Sequence, residues 1–163
     1  MTASKEPVVA PLSGTIVDLA DIPDAVFSQK IMGDGIAIRP SDGHVYAPFD
    51  GQVVSLFDTR HAVGLRSDTG LEVLIHIGID TVSLNGKYYT AHVRQGDTVR
   101  QGDLLITCDL DQIKADGFDT ITPVIMTNGV IGQLQPRLQT QVQHGEPLAT
   151  VTLSTVESNV GKA

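Results

Sequence analysis

Apolar residues along this chain come in short runs and not at helical spacing. The main runs are Thr15–Val17, Ile36–Ile38, Val53–Phe57, Ala62–Leu65, Leu71–Ile79, Asp103–Cys108 and Pro147–Leu153. Clusters of Gly, Asp, Pro and Asn separate them, the signature of many short strands joined by turns. Only two segments read as helical. Pro23–Lys30 predicts one or two turns. Asp109 predicts an N-cap for a short helix ending at Ala115, with Gln112 at the third helical position as in a capping box. The pattern therefore predicts an all-β protein with one or two short helices.

The chain also repeats itself. Ala10 to Leu19 (APLSGTIVDL) is similar to Ala47 to Leu56 (APFDGQVVSL). A second unit recurs as Val93–Asp97, Val99–Asp103 and Val142–Glu146, each a Val followed by a Gly-acid turn. These units resemble the opening strand and the later turn of a hammerhead-type sandwich, as in lipoyl and biotinyl carrier domains and their larger duplicated relatives. The expected architecture is an antiparallel β-sandwich, or barrel-sandwich hybrid, built from a duplicated motif. With 163 residues it fits one domain. Residues 10–153 are expected to form it, with a flexible N-terminus at 1–9 and a flexible, polar C-terminal tail at 154–163.

Composition narrows the function. The chain is 41% hydrophobic and 18% charged, as in a globular protein. A net charge of −8 excludes a sequence-independent binder of phosphate backbones. Aromatics at 4% and no Trp argue against a stacking platform for single strands. A single Cys rules out an internal disulfide. The first residues, MTASKEPVVAPLSG, carry neither a signal peptide nor a basic amphipathic helix. No run approaches the ~18–20 apolar residues of a membrane span. The expected location is the cytoplasm.

The sharpest chemical signal lies between Thr59 and Asp80. Ser67-Asp68-Thr69-Gly70 reads as a turn between two apolar strands. A two-residue turn centred on Asp68 and Thr69 places His61 directly opposite His76 on one face. A three-residue loop with Gly70 as a bulge would shift the register by one and separate them. His76 sits in an apolar run with Gly78 beside it, which is expected to leave room for an incoming group. A lone histidine in such a run is most simply a satisfied core residue. Two that converge point to chemistry. With Asp80 they could bind zinc, although a catalytic zinc site needs three protein ligands. Alternatively, one neutral imidazole attacks phosphorus and the other donates a hydrogen bond to the phosphoryl oxygens.

At this point the residues resemble a known family. Leu74-Ile75-His76-Ile77-Gly78-Ile79-Asp80-Thr81-Val82 is similar to the phosphohistidine signature of glucose-type EIIA proteins of the bacterial phosphotransferase system. Matching segments at Ala10–Gly14, Ile22–Phe27, Met32–Ile38, Ala47-Pro48, His61-Ala62 and Thr122–Ile125 extend the likeness over almost the whole chain. The resemblance implies that His76 accepts a phosphoryl group from HPr and passes it to the IIB domain of a sugar permease. It implies that His61 stabilises that group and that Thr59 orients the His61 ring. Asp24 and Asp80 would meet arginines of the docking proteins. Ala25, Val26, Phe27, Ile31, Met32, Phe57, Leu74 and Val82 would form an apolar ring that keeps water off the phosphoramidate. The resemblance implies a monomer that requires no cofactor. Some relatives hold zinc between the two histidines and a glutamate of a regulatory target, which His61 and His76 would permit.

Two other functions compete. A lysostaphin-type zinc peptidase would use His76 and Asp80, but the chain lacks the later H-x-H that class needs. A lipoyl or biotinyl carrier needs a Lys at a hairpin tip in a diagnostic motif, and neither Lys87 nor Lys114 has that context. Blander roles are expected elsewhere. His44 and His144 read as solvated turn residues, and His92 has no evident partner. Cys108 reads as an inert buried thiol. Asp97 and Asp103 read as turn formers. Gly33-Asp34-Gly35 reads as a tight turn and not a phosphate loop.

Overall fold

The computed structural model describes residues 5–153. The strands are β1 (Lys5–Val9), β2 (Gly14–Val17), β3 (Asp34–Pro40), β4 (His44–Tyr46), β5 (Gly51–Leu56), β6 (Ala62–Ser67) and β7 (Glu72–His76). They continue as β8 (Tyr89–Ala91), β9 (Thr98–Val99), β10 (Leu104–Cys108), β11 (Thr122–Met126), β12 (Gly129–Leu134), β13 (Gln141–Val142) and β14 (Pro147–Leu153). Two short helices, α1 (Ala25–Ser28) and α2 (Leu110–Ala115), and 3-10 turns at Leu19–Asp21 and Thr81–Leu84 complete the described chain. Every described ladder is antiparallel. The all-β expectation holds.

The sequence repeat is a structural one. An eight-stranded sheet runs β13-β2-β3-β11-β7-β6-β5-β9, an order in which the two halves mirror each other about β11 and β7. Two three-stranded sheets, β1-β14-β12 and β4-β10-β8, correspond in the same way. The repeated Ala residues meet the repeated turns. Ala10 N–H donates to Glu146 O at 2.8 Å, and Ala47 N–H to Asp103 O at 2.8 Å. In each turn the acidic residue accepts a backbone N–H three residues back. Asp97 takes Arg94 N at 2.8 Å, Asp103 takes Arg100 N at 2.9 Å and Glu146 takes Gln143 N at 2.7 Å. Asp97 and Asp103 are thus turn formers, as expected.

β7 lies beside the centre of the large sheet and is buried on both faces, which explains its unbroken apolar run. Val73 and Ile75 enter the main core with Leu65 and Val124. Leu74 faces the other way, into a smaller cluster with Phe27, Ala62, Ile79 and Ile125. That second cluster supports the face on which His76 emerges.

Both predicted helices are present. Asp109 Oδ1 accepts Gln112 N at 3.2 Å at the start of α2. α1 is shorter than its predicted span and begins after Asp24, whose Oδ1 accepts Val26 N at 2.9 Å. Two expectations need correction. Residues 5–9, taken as part of a flexible N-terminus, form β1 along β14, because Val8 fills the core and Glu6 turns inward to Thr69. The proposed tail at 154–163 lies outside the described residues. The β6–β7 hairpin also differs from the two-residue reading. Ser67 N–H donates to Leu71 O at 2.8 Å, and Asp68, Thr69 and Gly70 form a three-residue loop with Gly70 at φ 104°. Ala62, not His61, therefore faces His76.

Candidate functional site

His76 is the last residue of β7 and lies half-buried on the face it shares with Leu74. The Phe27 ring tilts against it, 5.1 Å between centroids. His61 precedes β6 and is almost wholly buried. Its carbonyl accepts Ile77 N at 2.7 Å. The two imidazoles meet edge to face, with centroids 4.8 Å apart and planes at 84°. They converge despite the shifted register. His61 lies outside the ladder and follows Arg60, whose φ is +57°. Strand alternation ends at such a left-handed residue, so the His61 side chain is not held to the far face.

Each ring is oriented through Nδ1. His76 Nδ1 lies 2.7 Å from Gly78 O. A carbonyl only accepts, so Nδ1 carries the proton and Nε2 keeps the lone pair. His61 Nδ1 lies 2.7 Å from Thr59 Oγ1. Burial, and secondarily the neighbouring His76, lowers the His61 pKa from 6.5 to about 4. Burial also lowers His76, opposed by the Gly78 hydrogen bond and the carboxylates of Asp24 and Asp80. The site therefore presents neutral imidazoles at neutral pH.

Gly78 has a different reason from the one the sequence suggested. Its φ is +89°, and an added Cβ would lie 2.5 Å from Thr81 Cγ2 and 3.0 Å from Asp119 O. The space it leaves is filled by Thr81, not opened to an incoming group. The left-handed backbone is what brings its carbonyl to the His76 ring.

The remaining predicted residues divide by burial. Ala25, Val26, Ile31, Met32, Phe57 and Val82 are exposed. Ile31 at 67% and Val82 at 52% are the most open of the large side chains in this group. Phe27 and Leu74 are buried, and form the floor and not the rim. Phe57 also stands edge-on to His61 at 5.4 Å. The Asp24 carboxylate is partly engaged in capping α1. Asp80 adopts left-handed backbone at φ 60°, is exposed, and makes no side-chain cap to the turn it precedes. Among the described residues no three His, Cys, Asp or Glu side chains are arranged to hold a metal, so Asp80 does not complete a zinc set. Nothing supports the peptidase alternative.

The sequence did not reveal the acceptor for His76, because a backbone carbonyl has no residue signature. It also did not reveal Tyr89, whose hydroxyl donates to Ile77 O at 2.8 Å behind the site. The other singled-out residues lie elsewhere. His44 lies 3.3 Å from Asp42, and Tyr46 lies between His44 and His144, with centroids 6.3 and 4.1 Å away. His92 Nε2 does have a partner, Thr107 Oγ1 at 3.0 Å. Cys108 is half-buried with its thiol pushed up to about 12, chiefly by desolvation, and is unreactive by that measure. Asp34 opens β3 and accepts Ile131 N at 2.9 Å. A cleft of about 610 Å³ beside Asp42, Tyr88 and Asp111 includes neither ring of the pair. No helix among the described residues is long and apolar enough to cross a membrane.

The profile of the phosphoenolpyruvate-dependent sugar phosphotransferase system EIIA 1 family matches residues 6–130. The structure of the glucose permease IIA from Mycoplasma capricolum is similar at 37% identity, with a TM-score of 0.83. That match covers 90% of this chain and 96% of the other. A structure of Helicobacter pylori Csd3 overlaps 88% of this chain and 32% of its own at 10% identity, with a TM-score of 0.41. The histidine pair thus sits in a sandwich that family and fold identify together: the chain belongs to the EIIA 1 family of the phosphoenolpyruvate-dependent sugar phosphotransferase system.

Proposed function

We propose that His76 Nε2 accepts the phosphoryl group of phospho-HPr and hands it to the IIB domain of a sugar permease. One N–P bond forms as the donor's N–P bond breaks, and the donor imidazole leaves with its electron pair. Carrying this reading is the His76 Nδ1–H bond to Gly78 O beside the perpendicular His61 ring. The carbonyl leaves Nε2 as the nucleophile and stabilises the charge that grows on the ring as the new bond forms. With Thr59 donating to Nδ1, His61 holds its proton on Nε2 and donates to the phosphoryl oxygens. Desolvation strengthens both interactions.

Partners dock on the exposed apolar rim, and Asp24 and Asp80 receive their arginines. The protein acts in the cytoplasm as a monomer. Transfer needs no cofactor. Zinc enters only where a regulatory target adds ligands to His61 and His76, which by themselves supply half of a tetrahedral set.

Incubation with phosphoenolpyruvate, Enzyme I and HPr tests the proposal. One phosphate should be incorporated, acid-labile and alkali-stable, and His76→Ala should abolish it. His61→Ala should still accept phosphate but transfer it poorly. Loss of acceptance in His61→Ala with normal labelling of His76→Ala would reverse the roles.

A further inference from the structure

We propose that Tyr89 is a positioning residue for phosphoryl acceptance: its hydroxyl, together with Thr81, fixes the Ile77–Ile79 backbone so that Gly78 O holds His76 in one tautomer. The inference rests on the reading of His76 as acceptor. Ile77 O receives two hydroxyl donors, Tyr89 at 2.8 Å and Thr81 at 2.7 Å. Both side chains are buried, and together they use both lone pairs of that carbonyl. The Ile77–Gly78 peptide plane is thereby pinned.

The next plane is pinned from its other side. Ile79 N–H donates to Asp119 O at 2.9 Å. A trans peptide sets its C=O opposite its N–H, so Gly78 O must point away from Asp119. There it meets His76 Nδ1 at 2.7 Å. Only the two dihedrals of Gly78 lie between the two fixed planes. Tyr89 is itself anchored, paired with Cys108 across the β8–β10 ladder, so the hydroxyl reaches the site from a different sheet. Burial raises its phenol pKa further, so it stays a proton donor. An imidazole without such a partner populates both tautomers. Any fraction with the proton on Nε2 cannot attack, and the rate falls with the competent fraction.

Tyr89→Phe removes the hydroxyl and little else. In the unphosphorylated protein, long-range ¹H–¹⁵N spectra should show His76 wholly in the Nδ1–H form in wild type and mixed in Tyr89→Phe. Acceptance from phospho-HPr should slow about threefold to tenfold. A folded Tyr89→Phe with an unmixed tautomer and a wild-type rate would overturn the proposal. If that variant does not fold, Thr81→Val and Thr81→Ser decide. A mixed tautomer in the first and a single one in the second supports the proposal, and equal populations in the two overturn it. The tautomer is read without any phosphoryl donor, so a wild type that takes no label would sink the phosphocarrier reading while leaving this comparison intact.

Discussion

The imidazoles of His61 and His76 meet edge to face at 4.8 Å although Ala62, not His61, is the residue paired with His76. Their meeting depends on a left-handed residue at Arg60 and on one hydrogen bond to each Nδ1. Each of these devices can be removed separately.

Thr59→Val takes the hydroxyl from His61 Nδ1 while keeping the side chain's shape. A neutral hydrogen bond is worth about 1 kcal/mol. Onward transfer should fall roughly fivefold, by the rate equivalent of that energy, with a smaller effect on acceptance. Thr59→Ser should restore it. Single-turnover transfer to the IIB domain is the measurement, and equal rates in the Val and Ser variants would remove Thr59 from the mechanism.

Stability should depend on the charge state of His61. Its pKa is about 4 folded against 6.5 unfolded, so between these values the unfolded chain binds the extra proton. Stability is therefore full above pH 6.5, falls as pH drops toward 4, and loses nothing more from this group below that. The slope is at most about 1.4 kcal/mol per pH unit, or up to about 3 kcal/mol across the window. His76 adds a slope of the same sign. Denaturant titrations from pH 7 to 4 should show a shallower fall in His61→Gln than in wild type.

Two glycines with positive φ should respond differently to alanine. At Gly70, with φ 104°, no atom lies within 4 Å of the added Cβ, so only backbone strain of about 1 kcal/mol is expected. At Gly78 the same strain is joined by the 2.5 Å approach to Thr81 Cγ2. Overpacking adds roughly 1–3 kcal/mol. Thermal melts should place Gly78→Ala well below Gly70→Ala, and only Gly78→Ala should lose phosphate acceptance.

The two acidic residues of the rim separate charge from structure. Asn also caps helices, so Asp24→Asn should keep α1, whereas Asp24→Ala should cost about 1 kcal/mol. Asp80→Asn removes a charge with no capping bond to lose. Both Asn variants should weaken HPr binding, about threefold to tenfold at low ionic strength and less at high. Calorimetric titration at two salt concentrations checks this. Affinities equal to wild type at low salt would show that neither carboxylate faces the partner's charge.

Much of the fold was legible because its signals are local. Short apolar runs, turn residues and the two Ala-Pro segments report short-range physics, and they gave the duplicated all-β plan. Asp109 announced α2 because a cap lies next to what it caps. The hairpin register was not legible, because Ser67-Asp68-Thr69-Gly70 fits either a two- or a three-residue loop. The loop taken is the one that buries Val63, Leu65, Val73 and Ile75 together in the main core. β1 was missed because five residues of mixed polarity become a strand only when β14 lies beside them.

For the site, the residues themselves marked two histidines in an apolar run, and the family resemblance added a threonine two residues before one of them and the flanking acids. How the rings face each other and which nitrogen is free came from the folded chain. Lone-pair directions are set by groups far along the chain. The Ile77 carbonyl is held by Tyr89 and the Ile79 amide by Asp119, and between them they aim Gly78 O at His76.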